Sequence, residues 1–253
     1  MDSPDSVALA DLSWPQIAAA MADGVDTAVL PLGATEQHGP HLPVDTDTRL
    51  ATELAERIAR RLGDALVAPA ISVGPSAEHA AFPGTVSVSP DTLGALLRDY
   101  VDSFERQGFE RVVVLPGHGG SFPTVDAAHP ELARESDADV VAVTGLRRYM
   151  ELLQGGLQAA GVDVDEPVVH AGASETAMVL AVAPDLVADD LPEGHTGEVS
   201  AAALFAEGIE RYDEDGVLGD ARPATAEVGE TLLEHVAAAH ADYVRQEFAA
   251  LDS

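Results

Sequence analysis

Cysteine and lysine are absent from this 253-residue sequence, and Trp14 is its only tryptophan. Without cysteine the chain cannot form disulfide bonds or zinc–thiolate sites, and a cysteine nucleophile is excluded. Aromatic residues make up only 4% of the chain, so a pocket lined by several aromatic side chains has few residues to draw on. Any metal site in this chain must therefore do without thiolate ligands.

Positive charge is also scarce, because 44 acidic residues face only 13 basic ones and the net charge is −31. A surface of this kind repels nucleic acid and anionic membranes, so neither is an expected partner. The acids are spread from Asp2 to Asp252, which indicates a hydrated acidic surface on a folded protein rather than an acidic tail. The lack of lysine with an excess of acids is typical of halophilic proteins, and we expect the fold to weaken in dilute buffer.

The N-terminal segment, MDSPDSVALADLSW, is acidic and lacks the basic and apolar regions of a signal peptide. Uninterrupted apolar runs of about 18 residues, the length needed to span a bilayer, are not found either. We therefore expect a cytoplasmic protein.

Short β-branched runs alternate with longer segments of helical periodicity along the chain. Strands are predicted at Thr27–Leu32, Ala65–Ile71, Arg111–Leu115 and Asp139–Val143. Helices are predicted at 47–62, 90–107, 124–136, 175–182 and 226–251. This alternation predicts a single α/β domain over residues 1–253, with a mostly parallel sheet and helices on both faces. The segment Leu146–Pro167 is less regular, and we expect a lid or an excursion at an oligomer interface there.

Polar side chains follow two of the predicted strands, at the point where each strand ends. Glu36, His38 and Asp47 come after the first strand, and Gly117-His118-Gly119-Gly120 follows the third. Because ligands of parallel sheets bind beyond the carboxyl ends of the strands, we expect both loops to open onto the same edge. Carboxylates and imidazoles together suit zinc, manganese or iron.

A third segment places His170 and Glu175 on either side of a glycine-containing turn ahead of a predicted helix. The alternative interpretation of this segment is a helix N-terminus with Ser174 as its cap and Glu175 favoured by the helix dipole. A single Glu-x-His or Gly-His-Gly-Gly is usually an ordinary loop or turn, so the metal-site hypothesis depends on their combination.

Four motifs in this order resemble the creatininase family of metal-dependent amidohydrolases: PLGATEQHGPHLPVDTDT, FPGT, GHGG and HAGASETA. They lie between about Ala28 and Pro184, and a weaker match, GVLGD, follows at Gly216–Asp220. The first motif is long and ungapped, which makes it highly specific. The resemblance implies a three-layer α/β/α sandwich, a homohexamer, and hydrolysis of a C–N bond in a small-molecule amide by a metal-activated water, as in creatinine amidohydrolase.

The resemblance also implies two divalent metal ions per chain. Carried over by position, Glu36, Asp47 and His118 would hold one ion, and His38 with the shared Asp47 would hold the other. Asp45 fits the family spacing less well as the shared ligand. Creatininase has a glutamate two residues after the histidine of the third motif, where this chain has Gly120. Glu175 is the predicted replacement, as a metal ligand or as a base.

His170 matches the substrate-side histidine of the family and is predicted to donate a proton to the departing nitrogen. Substrate contacts are further predicted for His41, His79, Gly119 and Gly120. For His41 and His79 the alternative is a structural role, since hydrogen-bonded loop histidines are common.

The sequence leaves the substrate open, because 163–169 lacks the tryptophans that enclose creatinine in creatininase. One alternative is a formamidopyrimidine deformylase of flavin and deazaflavin biosynthesis, with Arg147 and Arg148 as the nearest candidates for phosphate contacts. Another is a peptidase of the mycofactocin-precursor type, whose first motif is similar through Arg49. An alternative of a different class is a non-catalytic metal-binding assembly subunit, which the glycine at position 120 favours.

Overall fold

The computed structural model describes residues 6–164, 166 and 169–253. Its sheet consists of parallel strands in the order β2-β1-β3-β4. Their bounds are β1 Thr27–Leu32, β2 Ala65–Val67, β3 Arg111–Pro116 and β4 Asp139–Ala142. Every residue of β1 is buried, as expected for a central strand that is covered on both faces.

The helices that connect and cover these strands are α1 Trp14–Ala22, α2 Thr46–Leu62, α3 Pro90–Gln107, α4 Phe122–Glu135, α5 Leu146–Ala159, α6 Ala173–Val182, α7 Ala201–Glu207 and α8 Ala226–Leu251. Short 3-10 turns lie at Leu9–Asp11, Ala77–His79, Gly119–Ser121, Pro184–Leu186 and Ile209–Arg211. Across the described residues, no helix combines the length and apolar composition that crossing a membrane requires.

The hydrophobic core has two parts, one on each face of the sheet. Val29, Val113 and Val141 point into the part that is built with α2, α5, α6 and α8. The alternate residues Leu30 and Val112 point into the other part, built with α1, α3 and most of the apolar side of α4. Alternation along a strand sends successive side chains to opposite faces. The predicted three-layer α/β/α sandwich is thereby confirmed.

Two predictions of local structure were wrong. The second strand ends at Val67 rather than Ile71, because Pro69 has no N–H with which to continue the ladder. The segment predicted to be irregular contains the helix α5, whose Gly155-Gly156 pair weakens the helical pattern. Gly156 is required by packing, since a Cβ there would lie 2.7 Å from Leu232 Cδ2 of α8. Residues 165 and 167 of that prediction lie outside the described part of the chain.

The long helix α8 packs closely against α6. A Cβ at Gly229 would overlap the backbone carbonyl of Ala177, so a glycine is required where the two helices approach. This contact positions α6, which begins next to the carboxyl edge of the sheet and carries Glu175 in its first turn.

Candidate metal centre

The polar loops expected at one edge of the sheet do meet there. After β1, Gly33 packs against the backbone of Thr48, where any larger residue would overlap α2. The chain then passes Glu36 and His38 and enters α2 at Thr46, so Asp47 lies in the first turn of that helix. His118 directly follows β3, the neighbour of β1 in the sheet.

These side chains form two groups of potential ligand atoms that share one carboxylate. Asp47 Oδ1 lies 3.2 Å from His38 Nε2, and Asp47 Oδ2 lies 3.2 Å from His118 Nδ1. Glu36 Oε2 is 3.5 Å from His118 Nδ1, and Glu175 Oε2 is 3.8 Å from His38 Nε2. In each group, Glu36–Asp47–His118 and His38–Asp47–Glu175, the ligand atoms lie within 4.8 Å of one another. Both groups are buried and able to bind a metal, and the ligand atoms of a third buried group, Glu36–His38–His170, lie equally close together.

The electrostatics of the cluster favour positive charge. Burial alone would lower the pKa of His38, but the Asp47 carboxylate raises it to about 10. Burial alone would also lower the pKa of His118, but Glu36 and Asp47 together raise it to about 10. Burial alone would raise the pKa of Asp47, but the two imidazoles hold it well below its usual range. Carboxylates that hold protons on two buried imidazoles would also stabilise divalent cations between them.

Three buried polar atoms of the cluster, Glu36 Oε2, Asp47 Oδ2 and His38 Nε2, lie 3.2 to 3.8 Å from charged groups of opposite sign, but within the described residues none of them makes a hydrogen bond of good geometry. A buried polar atom without a partner costs about 1–3 kcal/mol, so such a concentration is expected only where a ligand binds these atoms. Histidine and carboxylate donors are those that zinc, manganese and iron accept. The residues present therefore fit the implied pair of metal ions.

The structure leaves no room for a glutamate side chain at position 120. A Cβ at Gly120 would overlap the Pro75 carbonyl and lie 2.6 Å from His118 Nε2, which leaves no space for a side chain. His118 Nε2 lies 2.7 Å from the Pro75 oxygen, a hydrogen bond that directs Nδ1 towards the cluster. Glu175 lies on the opposite side, next to His38, and offers the carboxylate that position 120 does not.

Glu175 is held by the turn that precedes α6. The backbone N–H of Ala171 donates to Glu175 Oε2 at 2.6 Å, and Ala171 adopts a left-handed conformation with φ of 59°. Ser174 is not the helix cap, because α6 begins at Ala173. Instead, the Ser174 hydroxyl donates at 2.6 Å to the buried carboxylate of Glu166, which also accepts the first backbone N–H groups of the helix.

A cavity of about 250 Å³ opens above the cluster. Its lining includes Glu36, Asp47, His79, His118, Gly119, Gly120, Tyr149, His170 and Glu175. Burial lowers the pKa of His170 well below its usual value and that of His79 to about 3, so both imidazoles are neutral near pH 7. The predicted substrate contacts at His79, His170, Gly119 and Gly120 thus border one space.

His41 lies apart from that lining. Its Nε2 is 2.9 Å from the hydroxyl of Thr176 in α6, and its ring is buried. Burial lowers its pKa to about 4. This position favours the structural role that the sequence left as the alternative for His41.

Arg147 and Arg148, considered as phosphate contacts, do not line the cavity either. The Arg147 side chain is 92% exposed and pairs with Glu151. Arg148 stacks over the ring of Tyr243 at 4.8 Å. The deformylase alternative therefore loses the residues on which it depended.

Two residues of the site did not emerge from the sequence. Gln37 lies between two candidate ligands, and its buried amide contacts His79 and His170. Tyr149 comes from α5, the segment that was predicted to be irregular, and its ring stacks on Phe122 at 5.6 Å. Gln37 could have been found from the sequence, because it is the middle residue of the Glu-x-His motif. Tyr149 could not, because the helix that carries it was not predicted.

The cavity adjoins an open surface groove of about 800 Å³. Glu78, Gly120, Pro123 and Phe205 border both spaces. The Phe205 ring is 65% exposed where they meet.

Comparisons with known proteins found similar sequences and similar structures. The family model described as creatininase, creatinine amidohydrolase, matches residues 10–244. The chain is 34% identical to the mycofactocin precursor peptide peptidase of Mycolicibacterium smegmatis, over 88% of this chain and 85% of that one. It is 32% identical to the creatinine amidohydrolase of Pseudomonas putida, over 96% and 98% of the two chains. Among solved structures, a manganese creatininase superposes with a TM-score of 0.80 at 30% identity, covering 96% of this chain and 99% of that one.

Proposed function

Since this chain belongs to the creatininase family, a family of metal-dependent amidohydrolases, we propose that it hydrolyses a C–N bond in a small-molecule amide, in the manner of creatinine amidohydrolase. The family and its creatinine amidohydrolase member support a C–N bond other than an ordinary peptide bond. The observation that carries the proposal is the pair of ligand groups sharing Asp47 beneath a cavity of about 250 Å³.

In this proposal Glu36, Asp47 and His118 hold one divalent ion, and His38, Asp47 and Glu175 hold the other. When bound, such ions supply the Lewis acidity that activates water and polarises a carbonyl group. Zinc, manganese and iron suit these donors, and solved creatininase structures include manganese and zinc forms.

The chain itself provides the groups that move protons. His170 borders the cavity, where burial lowers its pKa and keeps the imidazole neutral, so that its ring N–H is the group placed to donate to a departing nitrogen. Burial raises the pKa of Glu175, so this carboxylate is suited to take up a proton if it acts as a base. Gly119 and Gly120 allow a substrate to approach the backbone closely beside His118.

A second candidate function is that of a peptidase of the mycofactocin-precursor type. The identity of 34% to such a peptidase and the groove of about 800 Å³ beside the cavity favour it. A small cyclic amide needs only the cavity, whereas a peptide needs an adjoining surface along which the rest of the chain can lie.

We also propose that the protein is a homohexamer, that it is located in the cytoplasm, and that it binds two metal ions per chain, as the family resemblance implies. Light scattering coupled to size-exclusion chromatography tests the hexamer, and elemental analysis of the purified protein tests the stoichiometry. One ion per chain, or a stable monomer in molar salt, would contradict this part of the proposal.

The experiment that tests the function is a substrate panel in molar salt. Protein loaded separately with zinc, manganese or iron is incubated with creatinine, other cyclic amides, a formamidopyrimidine and a short peptide, and product is measured by mass spectrometry. Hydrolysis of a cyclic amide supports the proposal, and cleavage of the peptide alone supports the second candidate. Fully metal-loaded protein that is inert towards every compound would leave the non-catalytic metal-binding subunit as the better description.

A further inference from the structure

Gln37 forms the centre of a hydrogen-bond network that connects two cavity histidines. Its Nε2 lies 2.8 Å from His170 Nε2 and 3.0 Å from His79 Nδ1. The same Nε2 donates to the Gly216 carbonyl oxygen at 3.0 Å, and Gln37 Oε1 accepts from the Gly39 N–H at 2.8 Å. The side chain is almost fully buried, with 5% of the residue exposed.

The backbone determines which way the Gln37 amide points. The N–H of Gly39 can only donate and the carbonyl of Gly216 can only accept, so Oε1 must face the former and Nε2 the latter. Gly216 has a φ of 74°, and a Cβ there would lie 2.5 Å from Gln37 Oε1. This contact gives the GVLGD segment, a weak match at the sequence level, a place in the site.

An amide nitrogen only donates, so the imidazole nitrogens that face it must be acceptors. A proton on His170 Nε2 or on His79 Nδ1 would point at an amide hydrogen, which is a repulsive contact. Each ring must therefore be neutral and carry its hydrogen on the other nitrogen, Nδ1 of His170 and Nε2 of His79. The Gln37 amide has two hydrogens for three acceptors, His170 Nε2, His79 Nδ1 and the Gly216 oxygen. Whichever two of them receive a hydrogen, neither ring nitrogen can itself carry one on the side of the amide.

Both protonated nitrogens face the metal cluster. His170 Nδ1 and His79 Nε2 each lie 3.6 Å from Glu36 Oε1. The two rings also pack together, with centroids 4.4 Å apart, which restricts their rotation. We propose that Gln37 is a positioning residue that sets the tautomers of His170 and His79, so that each presents an N–H donor on the cluster side of the cavity.

The catalytic consequence of this inference rests on the proposed function. The hydrogen on His170 Nδ1 matters for catalysis because it faces the site where a C–N bond would be cleaved. The inference does not depend on the identity of the substrate. The tautomers themselves can be measured whether or not the chain turns over a substrate.

The test uses ¹⁵N chemical shifts of the histidine side chains in full-length protein, both metal-free and zinc-loaded. Variants His170→Asn and His79→Asn identify the two sets of signals. We expect wild-type His170 to carry its hydrogen on Nδ1 and His79 on Nε2. Observation of the opposite tautomer in wild-type protein, or of a doubly protonated His170 near neutral pH, would overturn the proposal without any variant.

The isosteric change Gln37→Glu replaces the donor at Nε2 with an acceptor. We expect at least one of the two histidines to change tautomer and carry its hydrogen on the ring nitrogen that faces residue 37, and kcat to fall about 100-fold or more with a smaller change in KM. The control Gln16→Glu makes the same change in a residue near Ser13 at the start of α1, where we expect wild-type shifts and activity. Unchanged histidine shifts in folded Gln37→Glu protein that binds metal normally would refute the inference.

Discussion

Asp45 and Asp47 lie two positions apart in the same segment and carry the same carboxylate, but their environments differ. The Asp45 side chain is 40% exposed and pairs with Arg49, one helical turn away. Asp47 is buried, with its two oxygens directed at His38 and His118. The direction of the chain as it enters α2 produces this difference, which leaves Asp45 in a surface ion pair and makes Asp47 the proposed shared ligand.

We predict that Asp47→Asn removes metal from both sites and lowers activity by more than about 100-fold, because even residues that only support ligands contribute about 10–100-fold. Elemental analysis and the substrate assay measure the two effects. Asp45→Asn is the matched control, which should retain its metal and most of its activity. If the Asp47 variant keeps two ions per chain, the shared-ligand assignment fails.

His240 in α8 gives a prediction about pH. Burial, with a further contribution from Arg148, lowers the pKa of His240 from 6.5 to about 4, and its ring stacks on Tyr149 at 6.1 Å. The unfolded chain therefore binds this proton more strongly, and stability is lost as the pH falls from 6.5 towards 4. The contribution of this residue to the loss at pH 5 is about 2 kcal/mol.

The variant His240→Phe keeps a ring against Tyr149 but cannot be protonated. We expect its free energy of unfolding to fall less than that of the wild type between pH 7 and pH 5, measured by denaturant unfolding at constant salt. Equal losses in the two proteins would show that His240 is not a source of the acid sensitivity.

At the scale of secondary-structure elements, the site depends on how α6 is placed. The start of this helix is held by Glu166 and Ala171, and its body packs on α8 at Gly229. These contacts come from segments far apart in the chain. A change in the α6–α8 interface should therefore reach Glu175.

Two glycines inside helices should respond to alanine with opposite signs. In α8, Gly229→Ala would force a methyl group onto the Ala177 backbone, and we expect a loss of about 1–3 kcal/mol together with weaker metal binding. In α3, a Cβ at Gly94 meets nothing within 4 Å, and Gly94→Ala should stabilise the protein by about 0.5–1 kcal/mol. Denaturant unfolding measures both changes. A stabilised Gly229 variant would contradict the described packing of α6 against α8.

At the scale of the whole molecule, the net charge of −31 is the dominant feature. Arginine pairs relieve part of the repulsion, as where Arg57 joins Glu230 of α8 to Glu53 of α2. Most acids have no such partner available, because only 13 basic residues oppose 44 acidic ones. The remaining repulsion should depend on the ions in solution.

We predict that the melting temperature rises between 0.1 M and 2 M KCl, because salt shortens the Debye length from about 10 Å to below 3 Å. Calorimetry or circular dichroism across a KCl series measures the change, and an uncharged osmolyte such as sucrose serves as the comparison. A melting temperature that is independent of KCl would show that self-repulsion does not limit the stability of this fold.

The sequence by itself determined the elements whose signals are local. Local signals of this kind are unbroken apolar runs such as residues 112–115, periodic helices such as Thr46–Leu62, and the ungapped first motif, each of which depends on neighbours along the chain. They were sufficient to predict the three-layer fold and the family. They also provided the hypothesis that Glu36, Asp47 and His118 meet, since parallel strands end at a common edge.

Only the tertiary structure decided the relations between distant segments. The absence of space at Gly120 and the contacts of Gln37 with His79 and His170 depend on which backbone atoms approach from elsewhere in the chain. Glu175 was predicted as a replacement ligand or base, but only the packing of α6 places it beside His38. Helix α5 was missed for the same reason, because Gly156 is explained by the proximity of Leu232 and not by helical propensity. Local sequence patterns record propensity and burial, whereas space and hydrogen-bond direction are properties of the packed molecule.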